Sequence, residues 1–387
     1  MSEWREIKLK EICKFKYGAN LPASSRIKGN YPVYGSSSIV SHCIDYYVKG
    51  PGIIVGRKGT VGKVQYSPTD FFPIDTTFYI EHNLNKVDLK FLYYRLQISG
   101  LDTMNSDAAV PGLNRITAIN QRINLPPLPT QKKIAKILSN YHDLIENNLK
   151  QIKLLEESAR LTYEEWFLRF RIDGKKLDID PESGLPYGWE QSTLGSLVAF
   201  HGGYAFKSKD YEENQKYKIV TIKNVQDGYF ISSTTDTIST IPDNIKPSQK
   251  LNNGDYIMSL TGNVGRICLV YGENYLLNQR VVKLEPRKSI DYSFLYSLFR
   301  HKNMLIQLQN ISNGAAQQNL SPVNAAKIKL PTPDEEFREK FNNKIKPAID
   351  SIISLNLQNQ LLKEARVILL PRLMTGMIDT DDMDIAV

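Results

Sequence analysis

Two segments of the chain place apolar residues alternately three and four positions apart, and each follows a proline-rich stop. The first seam, after Pro129, comprises Ile134, Ile137, Leu138, Tyr141, Ile145, Ile152, Leu155, Ala159 and Trp166. The second, after Pro333, comprises Phe337, Phe341, Ile345, Ala348, Ile352, Leu355, Leu362, Leu369 and Leu373. The first pattern predicts a heptad seam on a helix of about 40 residues, roughly 60 Å long. In the second helix, Pro347 predicts a kink or a restart, because proline lacks the N–H of the helical ladder.

A narrow apolar stripe on a long helix must be buried against another surface. Each helix packs either on its own globular domain or on the other helix as an antiparallel pair, and we favour the pair because the two stripes match in length. Asn148 and Asn359 interrupt the stripes. Matching these asparagines gives a register that also pairs Leu155 with Ile352, Ile145 with Leu362, and Trp166 with Phe341. A buried amide pair penalises slipped registers, so we expect the asparagines to satisfy each other's hydrogen bonds and to fix the pairing.

The rest of the chain repeats one plan twice. Each round opens on a tryptophan, Trp4 or Trp189, passes through a strand into a glycine turn, and ends at an Ile-polar-Leu-Pro step before a long helix. These steps are Ile123-Asn124-Leu125-Pro126 and Ile328-Lys329-Leu330-Pro331. An offset of roughly 185 to 205 residues is too long for a solenoid repeat. The pattern therefore predicts two copies of one domain-plus-helix module.

Short strands separated by turns predict a mixed, α+β architecture for each domain. The expected strands are residues 53–55, 63–66 and 77–80 in the first domain and 217–222, 256–260, 266–270 and 281–284 in the second. Each sheet is followed by a short helix with an aromatic face, beginning near Leu89 and Tyr292. We expect these aromatic residues to form core packing and not a platform for stacking bases. The turn-rich residues 171–188 read as a linker.

Composition narrows the class of partner and compartment. The 387 residues carry a net charge of +8, which indicates either an ordinary lysine-rich surface or a surface that meets polyphosphate. Cys13, Cys43 and Cys268 lack metal-site spacing, and we expect buried thiols in a reducing cytosol. No signal-like start and no long apolar run is present, so we expect a cytoplasmic protein.

Known catalytic motifs are missing from the chain. It has no Walker loop, no GxGxxG, no Asp/Asn-Pro-Pro-Tyr/Phe methyltransferase motif and no Pro-Asp…Asp/Glu-x-Lys nuclease pattern. The turns Gly59-Thr60-Val61-Gly62 and Gly262-Asn263-Val264-Gly265 lead from strand to strand, so they are either hairpin turns or places where backbone approaches DNA phosphate. The five histidines show no ligand spacing, and we expect no metal site.

Four motifs, in order along this duplicated chain, resemble those of the specificity subunits of type I restriction-modification enzymes. They are the run from Leu125 to Leu138 (LPPLPTQKKIAKIL), Trp166-Phe167-Leu168-Arg169-Phe170, the run from Ser183 to Glu190 (SGLPYGWE), and the run from Leu369 to Gly376 (LLPRLMTG). The turn at Pro333 lacks the glutamine of the first copy, Gln131. We expect little consequence, because that position caps a helix.

The resemblance implies two target-recognition domains on an antiparallel pair of long helices, related by a pseudo-two-fold internal repeat. It implies domain 1 at residues 1–128, the central helix at 129–170, a linker at 171–188, domain 2 at 189–332, the C-terminal helix at 333–375 and an acidic tail at 376–387. Each domain would read one half of a bipartite, asymmetric double-stranded DNA site, with the helices setting the spacer and docking two modification subunits. Those subunits would bind S-adenosylmethionine, while ATP and Mg²⁺ would serve the restriction subunits, so this chain itself would be non-catalytic and without a cofactor.

Basic and amide residues on loops are the candidate DNA contacts, because Arg recognises guanine and Asn or Gln recognises adenine through paired hydrogen bonds. In domain 1 they are Tyr34, Ser36, Arg57, Lys58, Lys63, Asn114 and Arg115. In domain 2 they are Asn263, Arg266, Gln279, Arg280, Gln317, Gln318 and Asn319. Most contacts of this kind reach phosphate or sugar, so only a minority should specify bases. The alternative functions are a non-catalytic scaffold and an accessory protein of a methyltransferase-only complex.

Overall fold

The structure is a computed structural model that describes residues 4–104, 112–312, 319–380 and 383. The chain forms two compact units: unit 1 is Met1–Ile145 with Leu362–Val387, and unit 2 is Glu146–Leu361. Both units are α+β, as the sequence predicts. Each long helix contributes one part to each unit.

The strands expected at residues 53–55, 63–66 and 77–80 and the helix expected near Leu89 are present in unit 1, together with strands that were not expected. Its strands are β1 Arg5–Lys8, β2 Cys13–Tyr17, β3 Tyr31–Tyr34, β4 Ile39–Cys43, β5 Gly52–Gly56, β6 Val64–Ser67, β7 Phe72–Pro73, β8 Thr77–His82 and β9 Arg122–Leu125. Its helices are α1 Leu89–Gln97, α2 Arg115–Ile119 and the start of α3 Leu128–Tyr163, with 3₁₀ turns at Leu9–Glu11, Ala23–Ser25 and Leu101–Thr103. The main sheet has the order β2-β8-β5-β6, and β4-β3-β7 forms a second sheet.

Unit 2 repeats this arrangement with additions. Its strands are β10 Arg171–Ile172, β11 Lys175–Lys176, β12 Glu190–Thr193, β13 Val198–Gly202, β14 Tyr217–Val220, β15 Thr237–Ile238, β16 Lys250–Leu251, β17 Tyr256–Ser259, β18 Ile267–Leu269, β19 Tyr275–Leu277, β20 Val281–Pro286 and β21 Lys329–Thr332. Its helices are α4 Leu194–Leu197, α5 Tyr292–Arg300, α6 Lys302–Ser312, α7 Pro322–Ala326 and the start of α8 Glu335–Met374. A π-helical turn at Glu164–Leu168 continues α3, and 3₁₀ turns lie at Ser208–Asp210, Pro247–Gln249 and Ser289–Asp291. The sheet β13-β20-β17-β18 matches the main sheet of unit 1, and β15-β14-β19-β16 is the second sheet.

The aromatic residues of the two short helices are core residues, as expected. Phe91 in α1 and Phe294 in α5 are at most 1% exposed, and each lies in the main apolar cluster of its unit. The three cysteines are buried thiols. Burial raises the pKa of Cys13 to about 12.

Within unit 2 the two long helices run antiparallel in the predicted register. The Nδ2 of Asn148 donates to the Oδ1 of Asn359 at 3.0 Å, and the rings of Trp166 and Phe341 lie 5.5 Å apart. The step from Asn148 to Trp166 along α3 equals the step from Asn359 back to Phe341 along α8. Edge-on aromatic pairs of this kind contribute about 0.5–1.5 kcal/mol each beyond burial of area.

The asparagine pair is only partly satisfied, which differs from the expectation. The Nδ2 of Asn359 is buried without a hydrogen-bond partner. A buried, unpartnered amide donor costs about 1–3 kcal/mol. The pair therefore favours one register at a cost in stability.

Two other expectations concern the connecting segments. Helix α8 does not restart at Pro347, because it continues from Glu335 to Met374. The carbonyl that loses its N–H partner belongs to Asn343, which is exposed and open to water. The linker is folded: β10 and β11 form a hairpin, and Leu185 joins the core.

The domain in each unit closes through a two-stranded antiparallel ladder between the strand that follows its opening tryptophan and its last strand. In unit 1, β1 pairs with β9 so that Arg5 lies opposite Leu125; in unit 2, β12 pairs with β21 so that Glu190 lies opposite Thr332. Because Arg5 and Glu190 each follow the opening tryptophan, Leu125 corresponds to Thr332. The expected match of Leu125 to Leu330 is therefore wrong.

This alignment identifies Arg338 as the counterpart of Gln131. The Nε2 of Gln131 donates to the carbonyl of Pro126 at 2.8 Å, and its Oε1 accepts from the N–H of Asp88 at 2.9 Å. The Nε of Arg338 likewise donates to the carbonyl of Pro333 at 3.1 Å, and its Nη1 pairs with the Asp291 carboxylate. Both residues join a long helix to the start of the domain's aromatic helix. The missing glutamine is thus replaced by a buried ion pair.

Arg338→Met is expected to lower the free energy of unfolding of unit 2 by about 3–5 kcal/mol, because it leaves the carboxylate of Asp291 buried without its partner. Asp291 is 1% exposed, and burial raises its pKa even beside Arg338. Urea unfolding followed by the fluorescence of Trp166 and Trp189, both in unit 2, measures the loss. The double variant Arg338→Met with Asp291→Leu should recover most of it. A single variant within about 1 kcal/mol of the parent chain would contradict this account.

The double variant Asn148→Leu with Asn359→Leu is expected to raise the thermal midpoint, because it replaces a partly unsatisfied amide pair with apolar contact. Each single variant should lower the midpoint, since it leaves one amide unpaired. Calorimetry of the full chain compares them with a matched control, Asn147→Leu with Asn343→Leu, whose residues are exposed on the same helices. A double variant less stable than the parent would refute the role assigned to the pair.

Candidate nucleic-acid interface

The two glycine turns are hairpin turns at matching places in the two units. In unit 1, β5 and β6 are antiparallel, and Gly62 N–H donates to the carbonyl of Gly56 at 2.8 Å. In unit 2, β17 and β18 are antiparallel, and Gly265 N–H donates to the carbonyl of Ser259 at 3.0 Å. The first and last glycines of both turns have positive φ angles between 73° and 80°. The hairpin interpretation is therefore correct for both turns.

Gly62 shows why the turn requires glycine. Its φ is +73°, and a Cβ there would lie 2.2 Å from backbone atoms of Leu101 and Asp102. No side chain fits that gap without backbone movement. The backbone of the hairpin therefore packs directly on the backbone of the 3₁₀ turn at Leu101–Thr103.

Two further segments meet each hairpin at the same end of the sheet. In unit 1, Leu113 N–H donates to the carbonyl of Arg57 at 2.9 Å, and Arg57 N–H donates to that of Thr76 at 2.9 Å. In unit 2, Leu320 N–H donates to the carbonyl of Leu260 at 2.9 Å, and Leu260 N–H donates to that of Arg280 at 3.0 Å. The structure therefore gathers three loops in each unit, and most candidate residues lie on them.

Two of the candidates in unit 1 have structural roles. Tyr34 is 5% exposed, its ring packs edge-on against Phe71, and its hydroxyl donates to the carbonyl of Tyr66 at 3.3 Å. Its selection as a DNA contact is wrong, because the side chain belongs to the core. The Ser36 hydroxyl donates to the carbonyl of Lys58, with the carbonyl of Thr76 at 3.1 Å as the alternative acceptor, so this residue links the loops that carry those carbonyls.

The remaining candidates of unit 1 are accessible. Lys58, Lys63, Asn114 and Arg115 are exposed, and Arg57 is half-buried. The Oδ1 of Asn114 caps α2 by accepting from Ile116 N–H at 2.9 Å, which leaves only its Nδ2 to meet a ligand. Within the described residues, no carboxylate forms a salt bridge with the four cationic side chains of this group. Among the described residues, the loops of unit 1 therefore present cationic side chains that form no salt bridge with a carboxylate.

Unit 2 presents a different set of side chains at the equivalent end. Asn263, Gln279, Arg280 and Asn319 are exposed, and Asn319 forms a β-bridge with Thr261 beside the hairpin. The Nη1 of Arg266 donates to the Oε1 of Gln226 at 2.7 Å, so this guanidinium is already partly engaged. Gln317 and Gln318 lie outside the described residues.

Sequence reasoning missed Tyr17, which the structure places among the candidates. Its ring is 51% exposed at the end of β2, and the guanidinium carbons of Arg57 and Arg115 lie over it at 5.4 and 5.3 Å. The available signal was the alternation along β2, where Cys13 and Phe15 face the core and Tyr17 continues the same face to the loop end.

The described residues contain no cluster of His, Cys, Asp and Glu suited to a metal ion. Across those same residues, every helix is too short or too polar to cross a membrane.

Comparison with known proteins identifies the family. The family described as "Type I restriction modification DNA specificity domain" matches residues 1–157 and 186–365, one match for each module. The chain belongs to the type I restriction-modification DNA specificity family. A relative in Methanocaldococcus jannaschii, the type I restriction enzyme MjaVIII specificity subunit, is 26% identical over 86% of this chain and 77% of its own length. The HindI specificity subunit of Haemophilus influenzae is 24% identical over 80% of this chain and 82% of its own length.

A solved structure has the same fold. The S subunit of a type I restriction-modification system from M. genitalium superimposes with a TM-score of 0.66 at 18% identity, covering 96% of each chain. At this identity the likeness concerns the fold.

Proposed function

We propose that the chain is the sequence-specific DNA-recognition subunit of a type I restriction-modification complex. The observation that carries the proposal is the loop end of each unit, where one shared hairpin framework bears two different sets of basic and amide side chains. A shared framework with different polar side chains suits two modules that read different base sequences by the same docking mode. Each unit then reads one half of a bipartite, asymmetric duplex site.

The charge distribution supports binding to a duplex. Unit 1 bears Arg57, Lys58, Lys63 and Arg115 at its loops without carboxylate partners among the described residues, and the whole chain has a net charge of +8. Cationic groups that neutralise phosphates release counterions and supply affinity that falls with salt. Base discrimination then rests on the side chains that reach base edges, for which Arg57, Gln279 and Arg280 are our candidates.

The long helices have two roles in this proposal. Their register sets the spacing of the half-sites, because a slip of one helical turn is about 5.4 Å, more than one base-pair step. The Asn148–Asn359 contact is the residue pair that resists such a slip. The helices also dock two modification subunits, which bind S-adenosylmethionine and methylate the DNA. ATP and Mg²⁺ serve restriction subunits in the same complex, and this chain is non-catalytic and cytoplasmic.

Exchange of residues 1–125 for those of a relative is expected to change one half of the methylated DNA motif and to leave the other half unchanged. The exchanged segment carries both β1 and β9, so the ladder that closes unit 1 stays intact. The complex assembled with its modification subunits is allowed to methylate a genome, and single-molecule sequencing reads the motif.

Exchange of residues 189–332, which carries both β12 and β21, is the matched control and should change the other half. The chain incubated alone with S-adenosylmethionine should methylate nothing. A motif altered in both halves or in neither would reject the two-module proposal. Absence of salt-dependent duplex binding would favour a scaffold or an accessory protein instead.

A further inference from the structure

Tyr17, Arg57 and Arg115 form one cluster at the loop end of unit 1, which we call the Tyr17 platform. Both guanidinium groups lie over the exposed ring, at 5.4 Å for Arg57 and 5.3 Å for Arg115. The inner edge of the ring packs on Phe78, with ring centroids 5.0 Å apart. The face of an aromatic ring attracts cations, so Tyr17 holds two positive charges close to one another.

Arg57 is held on one edge and open on the other. Its Nε and Nη2 both donate to the carbonyl of Asp75, at 3.1 and 2.6 Å. A guanidinium has five N–H donors in a planar fork, so the end formed by Nη1 and the second hydrogen of Nη2 remains for an outside acceptor pair. The ring contact and the carbonyl contact together fix the plane of this fork before any ligand binds.

Arg115 is the first residue of α2, whose start is capped by Asn114. Its side chain is exposed, and no carboxylate within the described residues pairs with it or with Arg57. Two unneutralised cations at one ring repel each other, and a ligand with negative charge or with paired acceptors relieves that repulsion. The chemistry of the platform therefore fits a DNA strand.

The fold does not require the platform. The β-ladders place Gly202 opposite Val282 in unit 2, where Tyr17 lies opposite Phe78 in unit 1. Arg57 and Leu260 each follow the residue whose carbonyl closes the glycine turn, so they occupy equivalent positions. Leu113 and Leu320 donate to the carbonyls of these two residues, so Arg115 and Pro322, two positions further along, are equivalent as well. Unit 2 thus builds the same hairpin and the same closing bonds with none of the three side chains. The framework that the two units share therefore does not require these three side chains.

We propose that the Tyr17 platform reads a guanine in the half-site of unit 1. Arg57 donates through its open edge to the O6 and N7 of the base, and Arg115 contacts an adjacent phosphate. Tyr17 is a positioning residue that holds both guanidinium groups. This inference rests on the proposed DNA-recognition function and specifies one contact within it.

Tyr17→Leu is expected to lower affinity for the target duplex about tenfold, because two cation–ring contacts are lost and Arg57 is no longer fixed. It should also relax discrimination at a single G·C pair in one half-site. Tyr17→Phe keeps the ring and should bind as the parent does. Arg57→Lys removes the planar fork and should relax discrimination at the same G·C pair. Combining it with Tyr17→Leu should cause no further loss of discrimination at that pair. Fluorescence anisotropy of the complex with its modification subunits measures binding to target, singly substituted and random duplexes.

Tyr187→Leu is the matched control, since Tyr187 is 65% exposed and lies in the folded linker of unit 2. Tyr17→Leu binding that equals this control would overturn the inference, as would an equal loss on target and random duplexes, which indicates phosphate contact alone. Loss of binding by Tyr17→Phe would also overturn it. If the parent complex itself fails to discriminate target from random duplex, the proposed function fails. If the parent discriminates and Tyr17→Leu keeps the parent's discrimination at every base pair of both half-sites, only the platform fails.

Discussion

The architecture depends on the two-stranded ladder that pairs the strand after each opening tryptophan with the last strand of the same domain. In unit 1 the ladder joins β1 to β9, and in unit 2 it joins β12 to β21. Because the last strand leads directly into a long helix, the ladder fixes where that helix begins relative to its sheet. A single buried side chain, Gln131 or Arg338, then joins the helix to the start of the aromatic helix. Everything between the two strands of a ladder is therefore a closed insertion, which is the property that the proposed exchange of one domain requires.

Within that closed insertion, framework and recognition are separated. The glycine hairpin and its backbone hydrogen bonds recur in both units, so they belong to the framework. The side chains projecting from the same loops differ: unit 1 carries Arg57 and Arg115 over Tyr17, whereas unit 2 carries Gln279 and Arg280 on a neighbouring turn. Backbone bonds depend little on side-chain identity, so loop residues can change while the fold persists. This separation is what the proposed reading of two different half-sites requires.

The elements that sequence predicted well are those with strong periodicity. Heptad spacing located both long helices and the register of Asn148 with Asn359, and apolar runs that lead into glycine turns located the strands β5 and β17. Side chains whose roles depend on contacts distant in sequence were not predictable. Tyr34, the last residue of β3, serves the core, and Ser36, in the polar loop after it, serves the loop backbone. The role of Arg338 was not predicted because matching the two Leu-Pro steps misaligns the two copies. The role of Tyr17 was not predicted because its partners, Arg57 and Arg115, lie far along the chain.

Hydroxyl-radical footprinting of the assembled complex on a duplex that carries its methylated motif tests the central claim most directly. The account predicts two protected clusters separated by an unprotected spacer. Replacing Arg57, Lys58 and Lys63 together with alanine should remove protection from one cluster and leave the other. A single continuous footprint that weakens as a whole, or no footprint on the motif, would contradict recognition by two separate units.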